Sequence, residues 1–303
     1  MFNFKSSAEF LTKCQVLDNS EISGTVCPWV LNEGKPPRED FHDTLEAVYI
    51  WSRPENSELY SYNILKAMEY IERKYGWFMS EAEPLKSYDA TYLLLALHRN
   101  PILKEYKQFQ VILDYAKQYM TEFFTRGPEH NQREYSNPYW KAFILDMVLK
   151  DDNQPTGFLR GWLTGDLSLE SPHLEGLHKG KGFEFNHDFF STFGTKLLAI
   201  NEIDPSLSYS ALRNIDVKGY VKRELDETSF NASVLFGISS CPFDCFGKLE
   251  LDSVIFDIKE KLESKFESGG IKRGSYFPLR ESWPTFFVYF AELIIERKKI
   301  TLG

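Results

Sequence analysis

The pattern of apolar residues predicts an all-α fold, an (α/α)6 toroid in which six inner helices are ringed by six outer ones. Three observations carry that expectation. First, six segments open with a polar residue beside an aromatic one and run on as strongly apolar helices. Measured at Asp43, Asp89, Asn137, Asp188, Asn231 and Trp283, they recur at spacings of 46, 48, 51, 43 and 52. A fixed period of this size is the mark of a repeated supersecondary unit. Second, polar and amphipathic helices lie between them, so one helix of each pair is covered all round while its neighbour meets water. Third, five pairs and a sixth buried helix leave one outer place open, which an N-terminal helix fills by closing the ring. An open superhelical array of hairpins is the alternative arrangement. The chain, 1–303, is expected to form a single domain.

In chain order, residues 6–18 read as an amphipathic helix with serine near its cap. Residues 19–41, with Ser20, Gly24, Pro28, Gly34, Pro36 and Pro37, read as a long irregular loop. The inner helices are expected at Phe41–Trp51, Tyr88–Leu97, Tyr135–Leu145, His187–Leu198, Phe230–Gly237 and Trp283–Glu296, with Pro284 at the last one's first helical position. Residues 61–75, 106–124 and 250–266 keep helical spacing and are expected outside. Gly161, Gly165 and Gly219 predict short or broken helices over 155–170 and 205–225. Strand signals are sparse, and Gly269–Pro284 reads as a long polar loop feeding the last helix.

Composition narrows the function. A net charge of −9 with scattered basic residues argues against nucleic acid, whose binding is mostly Lys/Arg electrostatics. No apolar run reaches the ~18 to 20 residues of a membrane span. The start, Met1-Phe-Asn-Phe-Lys, lacks the apolar core of a signal peptide. Four cysteines make no disulfide framework, so a cytoplasmic protein is expected. Cys241 and Cys245 form a C-x3-C without a matching histidine pair, so neither a metal nor a cofactor is expected. Phosphate-loop, dinucleotide and nucleophile-elbow motifs do not occur.

In a toroid the inner-helix N-termini point into one funnel, so Glu39, Asp40, Asp43, Asp89, Glu184 and Asp188 are expected to converge there. Helix capping is the plainer role for Asp43, Asp89 and Asn231. Trp29, Tyr139, Trp140, Tyr276 and Trp283 lie near helix starts or loops and suit sugar stacking, with core packing as the alternative. Trp51, Trp77 and Trp162 are expected between helices. Arg273, after a glycine pair, suits a pair of hydroxyls, and His187 lies with His173 and His178 in a glycine-rich stretch. The partner expected is a small molecule or an oligosaccharide, with neither nucleic acid nor membrane.

One stretch adds a family likeness. Asn231-Ala-Ser-Val-Leu235 through Cys241-Pro-Phe-Asp244, then Ile258-Lys-Glu-Lys-Leu262, Gly269-Gly-Ile-Lys-Arg273 and Trp283-Pro284, resembles glucoamylase-type glycoside hydrolases over about 65 residues. It departs from them at Asn231, where the family has Asp, and at Gly274, where it has Tyr. The resemblance implies the toroid and inverting hydrolysis by an acid and a base held ~6.5 to 9.5 Å apart. It also implies that Glu184 stands where the family's general acid lies. Ring symmetry then brings the base to the loop before the first inner helix, where Glu33 and Glu39 lie. A terpenoid-cyclase or prenyltransferase-like toroid, and a non-catalytic sugar-binding relative, are the competing functions.

Overall fold

The computed structural model describes residues 4–31, 35–98, 100–126, 138–159, 201, 235, 251–264, 266–267, 270–274 and 277–281. Over these residues the chain is mostly helical: α1 (Phe4–Thr12), α2 (Phe41–Trp51), α3 (Ser61–Met79), α4 (Ser87–Leu97), α5 (Phe109–Arg126), α6 (Pro138–Asp151) and α7 (Leu251–Ser264). A 3-10 turn, Pro101–Glu105, precedes α5.

Helices α2, α4 and α6 lie side by side, with α3 against α2 and α5 against both α4 and α6. Helices α2 and α4 are covered nearly all round, whereas α3 and α5 are covered along one stripe. Of the eleven residues of α2, nine are buried: Phe41, Asp43, Thr44, Leu45, Glu46, Ala47, Val48, Ile50 and Trp51. Helix α4 is covered to the same degree. In contrast α3 buries one stripe, Ile64, Ala67, Met68, Tyr70, Ile71, Lys74 and Phe78, at helical spacing. Helix α5 does so through Phe109, Ile112, Leu113, Ala116 and Met120. Burying a large apolar side chain contributes roughly 1.5–3 kcal/mol, so tertiary packing decides the positions of these helices. Among the described residues no helix is long and apolar enough to cross a membrane.

Two expectations are corrected. The N-terminal helix ends at Thr12, and the next residues turn into an extended clasp instead of continuing to residue 18. Gln15 bridges Val26 in antiparallel fashion, Val16 N donates to Thr25 O at 2.9 Å, and Cys27 N donates to Cys14 O at 2.8 Å. Much of the expected irregular loop is therefore ordered by pairing with the chain before it. Thr25 continues the order into α2: its Oγ1 accepts from Asp40 N at 3.2 Å and lies 3.1 Å from Thr44 Oγ1.

The second correction falls on Gly269–Pro284, which forms a meander of β1 (Phe266–Glu267), β2 (Gly270–Gly274) and β3 (Phe277–Glu281) instead of a loop. Its pairs are Phe266 with Ile271, Glu267 with Gly270, Ile271 with Glu281, Lys272 with Arg280 and Gly274 with Phe277. Pro278 is tolerated because β3 is an edge strand. Helix α1 lies against both α2 and β2. The expected inner helices at 187–198 and 283–296 lie outside the described residues; of the one at 230–237 only Leu235 is described, helical and buried.

Candidate functional site

The first turns of α2, α4 and α6 meet, and they meet through polar and aromatic side chains. Asp40 caps α2, its side chain accepting from Asp43 N at 3.2 Å. The ring of His42, the second residue of α2, packs against Tyr88 at 4.7 Å and edge-on against Tyr92 at 4.1 Å, both on α4. From α6, the buried Lys141 donates to Ser87 Oγ at 2.9 Å, at the start of α4. Thus α2 is joined to α4 through aromatic rings and α4 to α6 through a lysine.

Charge concentrates on α2. His42 Nε2 lies 3.0 Å from Glu46 Oε1, and its Nδ1 lies 3.6 Å from Asp43 Oδ1. Burial works against charge on His42, but Glu46, Asp43 and Asp40 outweigh it and raise its pKa to about 9. Burial pushes the Glu46 carboxyl up, with His42 pulling the other way. Burial also lifts Asp89 on α4 to about 6, against the pull of His42 and Lys86. A carboxyl near that value exchanges protons at neutral pH, as general acids and bases must.

Of the expected site residues, Asp43 and Asp89 come to this cluster, both at the third position of their helices and neither as the N-cap. Tyr139 lies in the first turn of α6. Trp140 beside it is packed instead of open to a ligand, 1% exposed and stacked on Phe143 at 5.9 Å. Glu39 is engaged elsewhere: its Oε1 accepts from Tyr70 Oη at 2.7 Å and pairs with Lys74 at 2.9 Å. Burial raises its pKa, yet these two partners outweigh it and hold the carboxyl below its ordinary value. Trp29 carries Lys35 and Arg38 over its ring, at 4.7 and 5.1 Å. Arg273 sits within β2, not in a loop. Glu33, Glu184, His187, Asp188, Tyr276 and Trp283 lie outside the described residues.

Sequence reasoning missed His42, Glu46, Tyr88, Tyr92 and Lys141 as members of the cluster. The signal was present in α2, where His42 and Glu46 stand four residues apart on a helix that is otherwise buried and largely apolar. No family model matches the chain, and neither does any curated protein or solved structure.

Proposed function

We propose that the chain is a carbohydrate-active (α/α)6 toroid, hydrolysing a glycosidic bond by inverting acid/base chemistry in a funnel at the N-terminal ends of its inner helices. The observation that carries this reading is the meeting of the α2, α4 and α6 first turns in a cluster of Asp, Glu, His, Lys and Tyr side chains. Polar and hydroxyl-bearing side chains at the mouths of these helices suit a hydroxyl-rich ligand, whereas a terpenoid cyclase needs an apolar cavity at that place. The glucoamylase-type resemblance of the C-terminal stretch supports the same reading. In it Glu184 is the acid. Glu39 is a poor base while Lys74 and Tyr70 hold it, so Asp89, lifted to about 6, takes that role. Contact of α1 with both α2 and β2 supports a closed ring.

The test is release of reducing sugar from maltooligosaccharides and from α- and β-glucosides. Glu184→Gln and Asp89→Asn are each expected to lower kcat by about 100-fold or more, the usual contribution of a general acid or base. Rates unchanged in both variants would remove these residues from the mechanism. Saturable sugar binding without turnover would favour the non-catalytic relative, which the Asn231 and Gly274 departures keep in view. Neither binding nor turnover across the panel would overturn the carbohydrate reading.

A further inference from the structure

We propose that Lys74, on α3, is a positioning residue: it ties the loop entering α2 to the loop entering α4 and so fixes the first turns of both helices. Its bearing on turnover rests on the carbohydrate reading; the tie between the loops does not. Lys74 Nζ lies 2.9 Å from Glu39 Oε1 and 2.6 Å from Glu83 Oε2. Glu39 immediately precedes Asp40, the N-cap of α2, and Glu83 stands four residues before Ser87, where α4 begins. One ammonium therefore holds the approaches to the two helices that carry Asp43 and Asp89.

The ammonium is itself held in place. The Trp77 ring lies 4.7 Å from Nζ on α3. Tyr70, one turn earlier on the same buried stripe, donates its hydroxyl to Glu39 Oε1 at 2.7 Å. Glu39 thus receives two donors from one helix, which fixes its carboxylate against α3. Burial works against charge on Lys74, but Glu83 and Glu39 outweigh it and hold its pKa above the ordinary value.

Stability alone gives little reason for a lysine here. Position 74 belongs to the apolar stripe of α3, between Ile71 and Phe78, and its side chain is 4% exposed. Taking an ammonium out of water is costly, and a well-packed apolar side chain at such a place is often as stabilising as a buried ion pair. The pair adds direction, because its donors reach only acceptors in set places. The direct contact of α2 with α4 at this end, His42 on Tyr88 and Tyr92, is ring packing and less directional. Lys74 supplies the registration that ring packing lacks.

The full chain is tested first without sugar, by amide hydrogen exchange at Asp43 and Thr44. Both amides bond to Asp40, the residue after Glu39. Glu83→Gln, made on the α4 side, is expected to speed exchange at both by about fivefold, the protection one hydrogen bond gives. With Lys74→Met already in place, Glu83→Gln is expected to add nothing at α2, because the link is gone. Glu83 is 40% exposed, so its variant keeps the test open even where Lys74→Met fails to fold. A response to Glu83→Gln confined to residues 83–90 overturns the proposal. With maltooligosaccharides, Lys74→Met is expected to lower kcat by about 10–100-fold while KM stays within about threefold, the pattern of misplaced groups and not of lost binding. Lys74→Arg, which keeps the charge and the donors, is expected to restore most of the rate. Equal kcat in wild type and Lys74→Met overturns the positioning role, and so does a loss that Lys74→Arg leaves unrepaired. The exchange response at α2 without hydrolysis in the wild type keeps the tie and removes the carbohydrate reading; hydrolysis without that response does the reverse.

Discussion

At Gly24 the N-terminal clasp touches α3, and only glycine fits there. Its φ is +94°, and a Cβ would stand 2.1 Å from the Lys66 carbonyl oxygen, a backbone atom that cannot swing aside. Gly24→Ala combines a strained backbone with overpacking and is expected to cost about 2–4 kcal/mol. The measurement is a lower urea midpoint at unchanged slope; an unchanged midpoint would mean that the clasp adds nothing to stability. Asp89 works with the opposite sign. Its carboxyl is raised from 3.8 to about 6, so between those values the folded state holds more protons than the unfolded one. Stability then falls as pH rises through that window, and the loss is complete above it. Asp89→Asn is expected to raise stability at pH 7.5 by about 1–3 kcal/mol and to give no gain at pH 3.5. Thermal melts at the two pH values decide it, and an equal gain at both would refute the burial account. A gain in stability with a loss of turnover is what a functional carboxylate gives up on removal.

At the scale of elements, α6 reaches forward to order the chain that follows it. Both oxygens of Asp146 are used: Oδ1 accepts from Gly157 N at 3.0 Å and Phe158 N at 3.1 Å, and Oδ2 accepts from Leu159 N at 2.9 Å. Asp146→Ala is expected to cost about 2–3 kcal/mol, the loss of three hydrogen bonds to a charged group. Faster hydrogen exchange at Gly157, Phe158 and Leu159 should accompany it, and unchanged exchange there would show that the loop is ordered by other contacts. Helices such as α2 to α6 are legible in a sequence because their signal is local, apolar residues at a period of 3.6 against polar ones. The pairing of Gln15 with Val26 is not legible, because a single bridge joins short segments that carry no alternation. The strands at 266–281 are short, and their glycines and Pro278 speak for a loop; pairing with neighbours overrides that preference. In the candidate site, Asp43 and Asp89 were readable as polar residues opening apolar helices. The ties from His42 to Tyr88 and Tyr92 were not, because they join residues on separate helices. The choice between stacking and core packing for Trp140 was open for the same reason: only packing shows which aromatic face is covered.

For the whole molecule the deciding question is closure. Helix α1 is fastened to α2: the Trp51 indole N–H donates to Ala8 O at 2.9 Å, and Ala8, Phe10 and Leu11 are at most 1% exposed. The same helix lies against β2, late in the chain. In a ring, α1 is held on two sides and the chain behaves as one unit. In an open array a terminal helix has one neighbour and frays first, and the repeats unfold in sequence. A closed, compact chain of 303 residues is expected to have a radius of gyration of about 19 Å in small-angle scattering. It should also melt in a single transition whose calorimetric and van't Hoff enthalpies agree. If the ring is closed, removing residues 1–13 takes out a helix that touches both α2 and β2, so the whole transition is expected to shift down. In an open array the same deletion would trim one end and leave the main transition near its original temperature. A radius well above 19 Å, together with a main transition unmoved by the deletion, would establish the open form and remove the funnel on which a shared acid/base site depends.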